Sequence, residues 1–286
     1  MLLLLLSRQE ILECFVVPSA IMAKPLPVIT YGKGLFYKYK NPKYTTLIKI
    51  RSMTSLPNQS RLLMLQEASL EELNRFFKPL SFQERIQAFY RLYSVEEVLM
   101  SSSFGASSVF LIHWVKQFAP DQELVFINTG YHFNETLKYK DQLLEQYGIK
   151  LQELSPDPEQ HQNTKRQRLW EDNANLCCQI NKLAPLEPIK VLYKAWISGL
   201  MGWQSPHRAQ MNIFEKQENL LKFHPLIDIE EGDYLYYRSY FNLPEHPLSA
   251  YGYASIGCLN CTVQGKGRAG RWQNEQKIEC GLHKRL

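Results

Sequence analysis

The stretch Glu97-Val98-Leu99-Met100-Ser101-Ser102-Ser103-Phe104-Gly105-Ala106-Ser107-Ser108-Val109-Phe110-Leu111-Ile112-His113-Trp114-Val115 reads as strand, loop and helix. A short apolar run gives way to a loop of small residues, then to an apolar segment of helical character. The plan recurs downstream. Leu124-Val125-Phe126-Ile127 is a second strand, Asn128-Thr129-Gly130 a turn, and Asn134 to Tyr147 a second helix. Strands alternating with helices predict an α/β fold: a central, mostly parallel sheet flanked by helices, with ligands at the C-terminal strand ends. Upstream, Leu70, Leu73, Phe76, Phe77, Ile86, Phe89 and Leu92 recur at helical spacing, which predicts one or two helices between Ser69 and Leu92.

The serine-rich loop suits an anion. Small residues let backbone N–H groups approach a phosphate, hydroxyls add donors, and the following helix turns its positive end toward the site. Ser101, Ser103 and Gly105 are the candidate contacts, with Thr129 and Gly130 of the second turn beside them. The loop lacks the G-x-x-x-x-G-K-[ST] pattern, which disfavours a Walker ATPase. Taken alone, a serine-glycine turn between strand and helix is more often only a turn.

Five of the six cysteines form a pattern: Cys177-Cys178 adjacent, Cys258 and Cys261 in a C-x-x-C turn, and Cys280 alone near the C-terminus. A C-x-x-C turn aims two thiolates at one centre, and a second pair completes a four-sulfur set. Adjacent cysteines on a helix do not face the same way, so they fit one tetrahedral ion poorly but can reach two irons of one cube. That tilts Cys177, Cys178, Cys258 and Cys261 toward a 4Fe-4S cluster, with zinc and unrelated thiols left open. Cys280 reads as a nucleophile.

The chain has 286 residues and is 45% hydrophobic, enough for one substantial core. Its net charge of +5, from 33 basic and 28 acidic residues, suits an anionic small substrate and is too dispersed to argue for nucleic acid. The apolar start Met1–Leu6 is too short to span a membrane and is followed at once by Ser7-Arg8-Gln9-Glu10. No membrane role and a cytoplasmic setting are expected, where thiols stay reduced. Residues 1–60 read as an extension in which Cys14 is a spectator, with Met22 and Met53 open as starts. Residues 61–250 read as the nucleotide-binding α/β domain, and 251–286 as a segment carrying the second cysteine pair and a flexible tail. The oligomeric state is left open, a homo-oligomer included.

Read together, Ser101-Ser102-Ser103-Phe104-Gly105, Asn128-Thr129-Gly130-Tyr131-His132-Phe133-Asn134-Glu135-Thr136, Cys177-Cys178-Gln179-Ile180-Asn181-Lys182, Gln204-Ser205-Pro206-His207-Arg208-Ala209, Ser255-Ile256-Gly257-Cys258, Cys261-Thr262, Arg268-Ala269-Gly270-Arg271-Trp272 and Glu279-Cys280-Gly281-Leu282-His283 closely resemble the assimilatory adenylyl-sulfate and phosphoadenylyl-sulfate reductases. The order and spacing match from about Leu73 to His283. The resemblance implies an adenine-nucleotide α-hydrolase-like fold and, because both cysteine pairs are present, a 4Fe-4S cofactor. It implies reduction of adenosine 5'-phosphosulfate (APS) to sulfite and AMP, with thioredoxin or a glutaredoxin-like donor as partner. By the same resemblance Cys280 attacks the sulfate sulfur, Lys182 lies between cluster and substrate, and Arg208 binds substrate. Arg268, Arg271 and His283 are placed to clamp the anion and lower the thiol pKa. Trp170, Trp196 and Trp272 read as packing residues.

The departures all remove charge. Met201-Gly202-Trp203 stands where the family usually has two arginines and an acid, Asn128 where it has aspartate, and Asn181 where it has arginine. Other readings are the 3'-phosphorylated substrate (PAPS), a nucleotide-dependent sulfurtransferase, or a silent nucleotide-binding homologue. The sulfurtransferase loop S-G-G-x-D-S wants an aspartate that Phe104-Gly105-Ala106-Ser107 lacks.

Overall fold

The computed structural model describes residues 64–272, 277 and 279–283, together with the backbone of three strands further upstream. The chain divides into two compact units, Met1–Leu56 and Pro57–Leu286. In the first unit, β1 (Val28–Tyr31), β2 (Gly34–Lys38) and β3 (Leu47–Ile50) form an antiparallel sheet in the order β1-β2-β3. Cys14, Met22 and Met53 lie outside the described residues.

The second unit opens with two helices, α1 (Leu70–Phe77) and α2 (Phe82–Leu92), where the spacing predicts them. Each starts on a capping box: Ser69 with Glu72, and Ser81 with Glu84, exchange side-chain and backbone hydrogen bonds. Both pack apolar faces on the sheet. Phe77, Phe89, Phe214 and Phe223 stack or meet edge to face, with Phe89 and Phe223 only 4.2 Å apart at their centroids. Buried Arg85 of α2 is satisfied by the Phe77, Lys78 and Pro225 carbonyls and by Asp228, which fixes the helix to the segment after the sheet.

The sheet strands follow: β4 (Val98–Met100), β5 (Leu124–Ile127), β6 (Leu151–Leu154), β7 (Ala195–Ile197), β8 (Phe214–Gln217) and β9 (Leu220–Phe223). β4, β7, β9 and β8 are bonded in that order, and β5 pairs with β6. A parallel bridge from Ser101 to Val125, with the Ser102 N–H donating to the Val125 carbonyl at 3.0 Å, joins the two parts as β6-β5-β4-β7-β9-β8. Every pairing is parallel except β8 with β9. Asn74 of α1 satisfies the outer strand by exchanging two 2.9 Å bonds with Phe214, which closes an edge otherwise free to pair. The buried strands β4, β5 and β7 carry Leu99, Val125, Ile127 and Trp196 into one core.

Helix α3 (Ser108–Phe118) follows β4, and α4 (Asn134–Tyr147) follows β5. The chain then crosses the sheet through α5 (Pro158–Arg166), α6 (Leu169–Asp172), α7 (Ala174–Cys178) and α8 (Ala184–Lys190) to reach β7. The order runs outward from β4 to β6 and restarts on its other side at β7. The carboxyl ends of β4 and β7 therefore form the topological switch point, where open α/β sheets bind ligands. The short α9 (Pro206–Ala209) lies after β7, and α10 (Glu231–Tyr240) after β9. No helix among the described residues is long and apolar enough to cross a membrane.

The described part of the C-terminal tail makes defined contacts: Lys277 donates to the Ala174 carbonyl, Glu279 is almost fully buried, and Gly281–His283 form a turn against the domain. Burial of a carboxylate between arginines, set out below, is the physical reason.

Candidate active site

The loop after β4 is shaped by its own hydroxyls. Ser101 accepts a 2.9 Å bond from the Trp196 indole N–H, and Ser102 accepts from the Phe104 N–H at 3.1 Å. Phe104 turns through a left-handed conformation (φ 49°) with its ring fully buried, which commits the loop to one path. Gly105 passes so close to the Ile256 carbonyl that a Cβ would lie 3.1 Å from it. Ser108 then returns to the Gly105 carbonyl at 2.7 Å, and α3 begins. Ser103 remains exposed at the rim.

After β5, Asn128 replaces an acid without leaving a gap. Its Oδ1 accepts from the Gly130 N–H at 3.1 Å, and its Nδ2 donates to Glu153. Thr129 is buried, with Oγ1 3.4 Å from the Cys258 sulfur. Gly130 adopts φ +70°, and a Cβ there would lie 2.5 Å from the His161 ring.

All four paired cysteines face one cavity. Cys177, Cys178, Cys258 and Cys261 line it with Thr129, Tyr131, Asn181 and Lys182, and all four thiols are free. Cys177 and Cys178 end α7, and the chain continues as a π-helical turn, Gln179–Leu183. Such a widened turn re-aims side chains that an α-helix would set at regular 100° steps, and it recurs at functional sites. Here it carries Asn181 and Lys182. Cys258 and Cys261 flank a single 3₁₀ turn, Leu259–Cys261, pinned by the Leu259 N–H on the Tyr131 carbonyl at 2.7 Å. Burial, and then the neighbouring thiols, push the Cys177 thiol up to about 12 and the Cys261 thiol up to about 11. Thiols raised in this way, Cys177 and Cys261, resist ionising without a compensating cation. Among the described residues, no group of three or more His, Cys, Asp or Glu is arranged to hold a metal ion. The sulfurs stand around a cavity rather than about a point.

Asn181 serves this wall. Its Nδ2 donates to the Cys177 carbonyl at 2.9 Å, to Thr164 at 3.2 Å and to the Cys177 sulfur at 3.6 Å, while its Oδ1 meets His161 Nδ1 at 2.6 Å. Lys182 is half-buried. Burial opposes its charge, but negative charge on the Cys280 sulfur foremost, then at Cys258 and Cys178, outweighs that and raises its pKa. Cys280 is the reciprocal case. Burial raises its pKa, yet Lys182, a backbone hydrogen bond at Leu282, and Arg271 bring it below the usual thiol value, against the opposing charge of Glu279. Cys280 is therefore the thiol favoured as thiolate.

The arginines are engaged differently from the expectation that they face an anion directly. Arg208 forms a two-pronged pair with Glu279, at 2.8 and 3.1 Å, and Arg268 adds a third contact at 2.8 Å. The Glu279 carboxyl is only 1% exposed and is held below the ordinary carboxylate range: burial raises it, and the two arginines more than offset that. Both arginines thus hold the segment that carries Cys280. Arg271 donates to the Cys261 carbonyl at 3.3 Å and lies 4.4 Å over the Trp272 ring. Gln204 links α9 to the loop before α3, donating to Ser107 at 3.1 Å and accepting from Arg208. Met201 is fully buried and exposed Trp203 lies tilted against Tyr234 at 5.6 Å, so neither brings charge to the site. His283 ends the last turn, and its side chain lies outside the described residues.

Sequence reasoning missed three participants. Trp196, read as packing, holds the Ser101 hydroxyl. Trp272 bears Arg268, Arg271 and Lys277 against its ring. Lys222 was not singled out, although a lysine inside the apolar run Leu220-Leu221-Lys222-Phe223 is itself a signal.

The comparisons agree with this geometry. Residues 97–264 match the family described as phosphoadenosine phosphosulfate reductase domain. An adenosine 5'-phosphosulfate reductase of Staphylococcus haemolyticus is 38% identical over 209 residues, covering 70% of this chain and 86% of that protein. One from Halalkalibacterium halodurans is 33% identical over 226 residues, covering 76% and 97%. The crystal structure of a phosphoadenylyl-sulfate reductase from Candida auris in a phosphate complex superposes with a TM-score of 0.60 at 23% identity, covering 68% of this chain and 98% of that one. That likeness shows the shared fold. The chain belongs to the phosphoadenosine phosphosulfate reductase domain family.

Proposed function

We propose that the protein is an oxidoreductase that reduces APS to sulfite and AMP in assimilatory sulfate reduction, with Cys280 as nucleophile. The observation that carries this reading is Cys280 itself, held next to Glu279 in the grip of Arg208 and Arg268 and brought below its usual pKa by Lys182 and Arg271. The relatives named above as adenosine 5'-phosphosulfate reductases support the substrate. The nucleotide lies over the Ser101–Gly105 loop and Thr129-Gly130, where backbone donors and the start of α3 face an anion.

The Cys280 sulfur attacks the sulfate sulfur. An S–S bond forms, the S–O bond to the nucleotide breaks, and AMP leaves with the bonding electrons. A dithiol donor such as thioredoxin then attacks the Cys280 sulfur, releasing sulfite; its second thiol resolves the mixed disulfide and returns Cys280 reduced. The two donor electrons appear in sulfite, so the step balances. Lys182 neutralises the anhydride as it breaks. A reducing cytoplasm suits this chemistry.

Cys177, Cys178, Cys258 and Cys261 are assigned to a 4Fe-4S cluster. Thiols spread around one cavity, with the adjacent pair at a helix end, suit four iron corners better than one ion. The cluster would supply a compact charge that ionises all four thiols and acts on Lys182 electrostatically. Anaerobic iron and labile-sulfide analysis tests the assignment: four of each per chain are expected, and stoichiometric zinc without sulfide refutes it. Incubation with APS in the absence of thiol tests the reaction. About one AMP per active site and one SO3 adduct on the Cys280 peptide are expected. An adduct elsewhere, or none, overturns the nucleophile.

A further inference from the structure

One charged side chain in the sheet is unexplained by nucleotide or cluster. Lys222 lies in β9, opposite Trp196 of β7 in the parallel register, and is 4% exposed. Its ammonium stands 4.6 Å over the Trp196 ring and donates at 2.5 Å to the main-chain carbonyl of Leu282, two residues past Cys280. The same indole donates its N–H to Ser101 at the head of the anion loop. A continuous path therefore runs from the tail through Lys222 and Trp196 to the floor of the nucleotide site.

We propose that Lys222 is a positioning residue for Cys280: its ammonium fastens the closed tail through the Leu282 carbonyl, opposite the fastening of Glu279 by Arg208 and Arg268. The two attachments bracket Cys280, one residue before it and two after, so the thiol is held at Lys182 only while both are made. A buried ammonium needs a partner, and the Leu282 carbonyl is the acceptor the tail brings. Opening the tail removes that acceptor, which favours closure. The indole face keeps the ammonium in place between openings. A sheet lysine with a purely structural role would not need its acceptor from the segment that carries Cys280.

This inference rests on the reading of Cys280 as nucleophile, and the test separates the two. Lys222→Met keeps the stem and volume while removing the charge, and Lys222→Arg retains it. The first readout is the rate at which iodoacetamide alkylates Cys280 in the full-length, cluster-loaded protein without nucleotide, followed by the mass of the Cys280 peptide. Losing a hydrogen bond to a charged group is expected to raise the open fraction, and hence the rate, roughly tenfold or more in Lys222→Met. Lys222→Arg should restore most of the protection. The second readout is single-turnover AMP release, expected to slow only in proportion to the fall in the closed fraction and so much less than alkylation accelerates, while AMP binding by equilibrium dialysis is unchanged. An alkylation rate equal to wild type in folded Lys222→Met overturns the inference, even where wild type forms the sulfonate. Failure of wild type to form the sulfonate overturns the functional reading, while alkylation still reports the fastening. Should Lys222→Met not fold, Lys222→Gln supplies a neutral, shorter side chain in a still polar position. It must show the same acceleration, and an unchanged rate again refutes the proposal.

Discussion

Replacing Gly130 with alanine tests whether the turn after β5 is built as described. Two costs follow from the geometry. The residue sits at φ +70°, where an L side chain is strained by about 1 kcal/mol. The new Cβ would also meet His161 Nε2 at 2.5 Å and Cε1 at 2.6 Å, distances no real contact adopts. The imidazole must swing away, giving up its 2.6 Å bond to Asn181, and Asn181 loses part of what holds it against Cys177. An unsatisfied buried amide costs about 1–3 kcal/mol, so the whole loss is about 2–4 kcal/mol. Urea unfolding of Gly130→Ala against wild type measures it. The decisive comparison adds His161→Ala, which removes the obstruction. In the double variant the loss should fall short of the sum of the single losses by about 1–2 kcal/mol. Strictly additive losses, or a loss below about 1 kcal/mol for Gly130→Ala alone, refute the contact and with it the described support for the cysteine wall.

Cys280→Ser should abolish the SO3 adduct and sulfite formation while leaving the visible absorbance and AMP binding intact; sulfite from that variant refutes the nucleophile. APS should be preferred over PAPS in kcat/KM, since buried Met201 and Gly202 and exposed Trp203 bring no charge for a 3'-phosphate. Comparison of the two specificity constants at fixed ionic strength decides it, and a preference for PAPS refutes it. Acid should destabilise the fold through its buried histidines. Burial pushes His113 and His246 down to about 4 from the ordinary 6.5. Between those values the unfolded chain binds protons that the folded chain refuses, so stability rises with pH through the window and is lost as pH falls. At pH 5 the loss is roughly 2 kcal/mol for each histidine. Urea midpoints at pH 7.5 and 5.0 measure it, and His246→Gln should shrink the difference; an unchanged difference refutes the assignment.

The linear pattern was enough for the order of strand, anion loop and helix, because period and small-residue clustering are local properties that Val98–Met100 and Leu124–Ile127 display without their neighbours. It was enough also for the two cysteine pairs and for Cys280, whose spacing is itself the signal. Tertiary structure alone decided how the charges are shared. Arg208, Arg268 and Glu279 are separated by up to 71 residues, yet they meet in one buried cluster, so residues read as clamps for substrate also clamp the tail. Trp196 reads as core in sequence because its ring is apolar; only the pairing of β7 with β9, and of β4 with β7, shows that its N–H and its face each hold a functional group. The same holds for Asn181. Sequence shows a lost charge, whereas the fold shows an amide that both donates and accepts around Cys177. Local spacing reports which chemistry a chain can carry, and long-range contact decides which partner each charge meets.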